Sequence, residues 1–189
     1  MDLRQFVFKY RGFTPVPIIL VVIIFAQPSV WSILAGLIIM MTGEFIRIWG
    51  VSYAGGATRT RHVGAPQLVT GGPFAHVRNP LYVGNMIMYT GAALMANIWL
   101  PWLILAVWLF FSLQYILIVK LEEEELEKIF GSEYLRYKES VPRFLPRRTP
   151  LRGKNSHQPD YLMALRSEKS TFISFMTILL LMLAKMWLF

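Results

Sequence analysis

Two clusters of polar residues have types and spacing that could support chemistry in this 189-residue chain. The first runs from Leu68 to Gly84 and reads Leu-Val-Thr-Gly-Gly-Pro-Phe-Ala-His-Val-Arg-Asn-Pro-Leu-Tyr-Val-Gly; Gly-Gly-Ala-Thr-Arg-Thr-Arg-His precedes it from Gly55 to His62. Glycines let a backbone approach a ligand closely. Asn79-Pro80 opens an apolar stretch, and proline suits the first turn of a helix, whose unpaired amides favour an anion such as a carboxylate. A turn that merely starts a helix would have the same sequence. The second cluster is Lys120-Leu121-Glu122-Glu123-Glu124-Glu125-Leu126, followed by Phe130-Gly131, Tyr134 and Tyr137. Glu124, Glu125 and Glu127 read as a solvated helix face. Glu122 and Glu123 directly follow an apolar stretch, where a carboxylate is costly unless partnered, so they are candidates for a polar or cationic ligand. Glu44 and Arg47, three apart, share a helix face as an ion pair or as part of a site. His62, His76 and His157 stand in separate contexts, so no metal site is expected. No nucleophile elbow and no P-loop is present.

The elements that must position these residues follow from charge spacing. Thr14 to Gly43 and Asn79 to Val119 contain no charged residue. A bilayer-spanning helix needs about 20 apolar residues, so the chain reads as an all-α polytopic integral membrane protein. Proline in Gln27-Pro28-Ser29 breaks the first stretch, giving spans of about 13–26 and 29–53. The first, only ~20 Å long, is thin-spanning or re-entrant, and is too weakly set off for a cleaved signal peptide. The second stretch divides near Asn97 into about 81–96 and 99–119, and a last span runs from Thr171, with Lys185 and Trp187 as interface residues. Five spans are expected in one domain, 1–189, with a core at about 55–146 and an interfacial segment plus last helix at 150–189.

Basic residues set the topology. Arg4, Lys9 and Arg11, then Arg59, Arg61 and Arg78, then eleven Lys and Arg from Lys120 to Lys169, mark three segments as cytoplasmic and leave the C terminus outside. The formal net charge of +8 is thus a topology signal. Basic residues are not interleaved with exposed aromatics, so no nucleic-acid partner is expected. No obligate protein partner is evident either. Zero cysteine excludes a disulfide scaffold, a thiolate metal site and a cysteine nucleophile. A prokaryotic inner membrane is the simplest location.

The stretch Leu68 to Gly84, followed one hairpin later by Glu122-Glu123-x-x-Leu126-x-x-x-Phe130-Gly131-x-x-Tyr134-x-x-Tyr137, resembles the membrane methyltransferase superfamily. That group includes isoprenylcysteine carboxyl methyltransferases and phospholipid N-methyltransferases. The resemblance implies an enzyme taking S-adenosylmethionine from the cytosol and a lipid acceptor from the bilayer, and releasing S-adenosylhomocysteine. Carried over residue by residue, it implies cofactor contacts at Gln67, Leu68, Val69, Phe74, Asn79, Pro80, Leu81, Tyr82, Glu122 and Glu123. Arg78 would receive the methionine carboxylate, and Glu122, Glu123 or His76 would deprotonate an amine acceptor. The prenylcysteine branch has Arg-His-Pro where this chain has Arg78-Asn79-Pro80, and an arginine where this chain has Ile118. Both departures favour N-methylation of a phospholipid amine such as phosphatidylethanolamine. The alternatives are carboxyl methylation of an isoprenylcysteine or a small thiol-derived acceptor, a sterol-type reductase, and a non-enzymatic anionic-lipid binder using Arg143 to Lys154. Tyr161, Leu162, Leu165 and Arg166 suggest a short interfacial helix, as an anchor or a lid.

Overall fold

The structure is a computed structural model and describes residues 2–55, 67–151 and 158–188. Arg59, Arg61, His62 and His157, and with them most of the Gly55 to His62 motif, lie outside the described residues. Among the described residues eight α-helices follow one another: α1 (Leu3–Tyr10), α2 (Pro15–Phe25), α3 (Val30–Ala54), α4 (Pro80–Ala96), α5 (Trp102–Phe130), α6 (Ser132–Ser140), α7 (Tyr161–Ser167) and α8 (Lys169–Leu188). A 3-10 turn at Gly72–Ala75 precedes α4. The expected all-α membrane architecture is present among the described residues.

Local chemistry accounts for the boundaries. Ser29 caps α3 through a reciprocal pair with Ser32: Ser32 N donates to Ser29 Oγ at 3.2 Å, and Ser29 N donates to Ser32 Oγ at 2.8 Å. Pro80 sits in the first turn of α4, and Asn97 ends that helix in the left-handed conformation. The two apolar-side turns are tied together, with Gln27 N donating to Ala96 O and Asn97 Nδ2 donating to Gln27 O.

Among the described residues three helices, α3, α5 and α8, are long and apolar enough to cross a membrane. The α1–α2 pair, bent by 54°, makes a fourth if it is one broken span. Against an expectation of about five spans, the first thin-spanning or re-entrant, α4 adds a 17-residue apolar helix, ~26 Å long, at the short end of the range for a span. The expected span at about 99–119 is the apolar part of α5. α5 continues without interruption to Phe130, so the glutamate run lies on the same rod as the apolar span.

α3 and α4 form the most extensive helix contact. Gly36 faces Gly91, and Gly43 faces Gly84. A Cβ at Gly36 would lie 2.5 Å from the Gly91 carbonyl oxygen, and one at Gly43 would lie 2.6 Å from that of Gly84. Only hydrogen fits at this seam, which lets the two backbones touch, as small residues do in membrane bundles. α8 is packed far more openly; of its side chains only Met182 is buried. At its end, Lys185 Nζ donates to the carbonyls of Ile24 at 2.5 Å and Ala26 at 3.3 Å. It thereby satisfies the unpaired C-terminal carbonyls of α2, while Trp187 is 86% exposed.

Candidate active site

A cavity of about 980 Å³ lies between the α1–α2 corner, α3, the segment 67–82, α4, α5, α6 and α8. Small-molecule sites occupy roughly 300–1,000 Å³, so this one is at the upper end of the range. One end is polar and the other apolar. Gln67, Leu68, Val69, Phe74, Asn79, Pro80, Leu81, Tyr82, Glu122 and Glu123 line the polar end. The structure therefore gathers every residue carried over as a cofactor contact at one end of a single cavity. Arg78 lines it as well. The apolar end descends between α2, α4, α5 and α8, along Ile19, Val22, Ala92, Val107, Ile178 and Met182.

Glu122 and Glu123 are adjacent in sequence, yet they point into different surroundings because successive residues on a helix are rotated by about 100°. Tyr82 donates to Glu122 Oε1 at 2.9 Å. The Tyr82 ring packs at 4.6 Å from that of Tyr115. Glu123 is buried and turned towards two arginines. Arg78 reaches Glu123 Oε1 through Nε at 3.1 Å and Nη2 at 3.0 Å. Arg143 reaches Glu123 Oε1 through Nε at 3.1 Å and Oε2 through Nη2 at 2.5 Å. The Glu123 carboxylate holds Arg143 above the usual guanidinium range. Arg78 Nη1 also donates to the carbonyls of Lys138 and Val141, each at 2.6 Å.

These contacts join three parts of the chain. Arg78 N donates to Pro142 O, Arg147 N to His76 O, and Leu151 N to Ala75 O, so the segment after α6 lies along the segment before α4. Asn79 Nδ2 donates to Arg143 O at 3.1 Å. Tyr137 donates to Phe74 O at 2.9 Å, and burial pushes the phenols of Tyr134 and Tyr137 well above their ordinary range. Of the residues expected to act on the substrates, Arg78 lines the cavity with its guanidinium on Glu123 and on two backbone carbonyls, and His76 lies outside the lining, its Nδ1 paired with Arg147 O at 2.9 Å.

Sequence reasoning missed a second polar network at mid-cavity. Arg47 Nη2 contacts both carboxylate oxygens of Glu168 at 2.8 Å, Arg47 Nη1 donates to Asn85 Oδ1 at 2.5 Å, and Asn85 Nδ2 donates to Tyr115 Oη at 3.1 Å. Thr171 Oγ1 donates to Glu168 Oε2 at 2.5 Å. Glu44 lies 3.5 Å from Arg47 Nε, so the expected i,i+3 pair exists inside a larger assembly. Glu168 is fully buried, and nothing in its exposed-looking neighbourhood, Arg166 to Ser170, signals this. The available clue was the presence of Asn85 and Tyr115 inside an otherwise apolar stretch. Arg11 also lines the cavity, within electrostatic reach of Tyr82 and Glu122; in the sequence it served only as a topology marker. The expected interfacial helix is α7, with Tyr161, Leu162 and Leu165 exposed. It is docked on α3 through Asp160 N donating to Ser52 O.

A helical membrane scaffold with this divided cavity belongs to a defined class. Residues 31–133 match the phospholipid methyltransferase family, and the chain belongs to that family. Among curated relatives, it is 35% identical over 124 residues to protein-S-isoprenylcysteine O-methyltransferase of Xenopus laevis, covering 61% of this chain and 41% of that protein. It is 36% identical over 81 residues to the Schizosaccharomyces pombe protein of the same name, covering 42% and 33%. It is also 31% identical over 110 residues to cobalt-zinc-cadmium resistance protein CzcN of Cupriavidus metallidurans, covering 58% and 47%. The matches thus span less than half the length of these relatives. No solved structure matches the chain.

Proposed function

We propose that this protein transfers a methyl group from S-adenosylmethionine to the carboxylate of a lipophilic acceptor of the isoprenylcysteine class, taken up from the bilayer. The observation that carries the proposal is one cavity with a polar end matching the family's donor motif and an apolar end at bilayer depth. The relatives that carry the name isoprenylcysteine O-methyltransferase support the same acceptor class. The polar end faces the cytoplasm in this reading, in keeping with the basic residues around it, and an inner membrane of a prokaryote is the proposed location.

The preference for a phospholipid amine gives way here. It rested on two departures, Asn79 within Arg78-Asn79-Pro80 and Ile118 where a carboxylate-binding arginine was expected, and the second has a structural answer. Ile118 is 0% exposed and belongs to the packed core. Guanidinium groups reach the cavity from elsewhere, at Arg11 on the α1–α2 corner and Arg47 on α3. N-methylation of a phospholipid remains the second reading, favoured by Asn79-Pro80-x-Tyr82-x-Gly84 and by the family's description.

The residues present fit the donor. Gln67 to Val69 and Phe74 offer backbone and apolar surface for an adenine-type ring, the first turn of α4 offers amides to a carboxylate, and Glu122 offers acceptor oxygens to hydroxyls or an ammonium. When bound, S-adenosylmethionine supplies an electrophilic methyl on a sulfonium and leaves as S-adenosylhomocysteine. Tyr82 fixes the Glu122 carboxylate by its hydrogen bond, and the Glu123 clamp fixes the backbone around Asn79. The acceptor carboxylate needs no general base, so positioning supplies much of the acceleration. The apolar depth holds the acceptor's hydrocarbon and keeps water out.

The test uses purified protein with methyl-labelled S-adenosylmethionine, offered a farnesylcysteine and, separately, phosphatidylethanolamine vesicles. Label in the farnesylcysteine as a base-labile ester supports the proposal. Label only in lipid amines would favour the second reading. Failure to bind the cofactor would remove both.

A further inference from the structure

α8 is a thin partition with two different faces. On one, Thr171, Phe175, Ile178 and Met182 line the large cavity. On the other, α7 and α8 together form an open groove of about 570 Å³. Its lining recurs every three or four residues, from Arg166 through Lys169 and Ile173 to Met176 and Leu180, so it forms one stripe along the helical rod. The two helices join almost without a break: Glu168 N donates to Ala164 O at 2.9 Å and Phe172 N to Glu168 O at 3.0 Å.

The stripe is divided by chemistry. Arg166 and Lys169 stand exposed at one end, and among the described residues neither side chain has a hydrogen-bond or ion-pair partner. The acid between them in sequence, Glu168, is turned to the opposite side, onto Arg47. No carboxylate lines the groove among the described residues. Beyond Lys169 the lining is apolar, with Phe172, Ile173, Met176 and Leu180, and the Thr177 hydroxyl donates to Ile173 O at 2.8 Å within the helix. From Lys169 to Leu180 the helix rises ~16 Å, about the hydrocarbon depth of one leaflet, half of a ~30 Å core. The far end of α8 meets the end of α2 at Ile24 and Ala26, which places Lys169 on the side of the cavity's polar end.

We infer that the outer face of α7–α8 holds one anionic phospholipid of that leaflet, with its phosphate on Arg166 and Lys169 and an acyl chain along the apolar stripe. Charge selects the occupant: two cations at head-group level attract an anionic lipid, whereas a zwitterionic one also brings them an ammonium. The guanidinium adds paired donors that fit a phosphate. Length selects it as well, since a soluble phosphate would leave the leaflet-deep stripe uncovered. The partition keeps this lipid apart from whichever acceptor enters the cavity. Its phosphate ties α7 to α8 across Glu168, the residue that anchors this wall to Arg47.

The experiment counts bound lipids by native mass spectrometry of the full chain in detergent and reads the thermal midpoint beside it. Phosphatidylglycerol and phosphatidylcholine with identical acyl chains are the probes. One phosphatidylglycerol is expected to bind at least about tenfold tighter than phosphatidylcholine and to raise the midpoint. Arg166→Gln combined with Lys169→Gln should erase the preference and leave the midpoint in phosphatidylcholine unchanged, because both side chains are exposed. Lys169→Gln alone should weaken phosphatidylglycerol binding about fivefold. Lys128→Gln combined with Arg136→Gln removes the same charge from exposed positions of α5 and α6 and should change neither reading. Equal affinity of the wild type for the two lipids would overturn the inference. So would a preference that survives both changes in the groove, or one lost equally in the α5–α6 variant. An equal rise of the midpoint with glycerol phosphate alone would overturn the acyl-chain groove.

Discussion

The cavity has two walls, built on different principles. On one side, α3 and α4 meet backbone to backbone through Gly36, Gly43, Gly84 and Gly91, and α5 joins them through the Arg47–Asn85–Tyr115 network. On the other side stand α2 and α8, largely apolar, with Met182 the only buried side chain of α8 and a lysine-capped helix end holding the two together. The first wall has no slack: a single added methyl group collides with a carbonyl. The second is held by contacts that a hydrocarbon chain could replace one for one. A rigid wall can hold a water-soluble donor and its reacting groups in register, while a loosely packed wall facing lipid can accommodate an acceptor that arrives from the bilayer.

This contrast can be broken in graded steps. The largest expected effect is on turnover. Glu122→Ala should lower methyl transfer by about 10²-fold or more, with a thermal midpoint near that of the wild type, because Glu122 supports ligand contacts at the cavity end and joins no structural clamp. Activity assays beside melting curves in detergent check both halves of this statement. Glu123→Ala, one residue away, should do the reverse. Removing the carboxylate leaves two guanidinium groups without their shared partner, and the expected cost is about 3–5 kcal/mol of stability; denaturant titration would show it, with cofactor affinity lost as a consequence of misfolding.

A smaller cost is expected in the rigid wall. Gly91→Val places a Cβ 2.6 Å from the Gly36 carbonyl oxygen and should destabilise the bundle by about 1–3 kcal/mol, since overpacking is felt directly where no side chain can yield. Smallest of all is Lys185→Met at the outer end of the loose wall. It removes two hydrogen bonds to partly exposed carbonyls and should cost about 1 kcal/mol or less. Cysteine pairs are convenient reporters of α2–α8 separation, because the chain has none of its own. If Lys185→Met destabilised as strongly as Gly91→Val, the contrast between the walls would be wrong.

Much of the rigid wall was legible in the sequence. Ser29, Pro80 and Asn97 mark helix ends by local chemistry, and the motif residues from Gln67 to Tyr82 converge with Glu122 as their pattern implied. The continuation of α5 past its span was legible too, as the solvated helix face of Glu124, Glu125 and Glu127, because glutamate is a good helix former and the change from apolar to acidic residues marks a change of solvent rather than a change of conformation. The partners of Arg78 and Arg47 were not. Each pairs with a carboxylate 45 or 121 residues away, and no local pattern encodes which distant carboxylate folding will bring near. Glu168 and Arg11 come from segments that look like surface by composition, and only the packing of the termini against the core turns them inward.

The unbroken run of α5 from bilayer to glutamates carries a consequence for how the chain tolerates slippage. Because Glu122 and Glu123 are addressed only by counting along one rod, losing a residue upstream would move Glu123 into the cavity position and Glu124 into the clamp position, and both places would still hold a carboxylate. Gaining a residue would instead bring Leu121 to the cavity. The four consecutive glutamates thus give a one-sided register reserve: shortening the supporting helix by one residue is expected to keep a carboxylate at both places, and lengthening it by one is not.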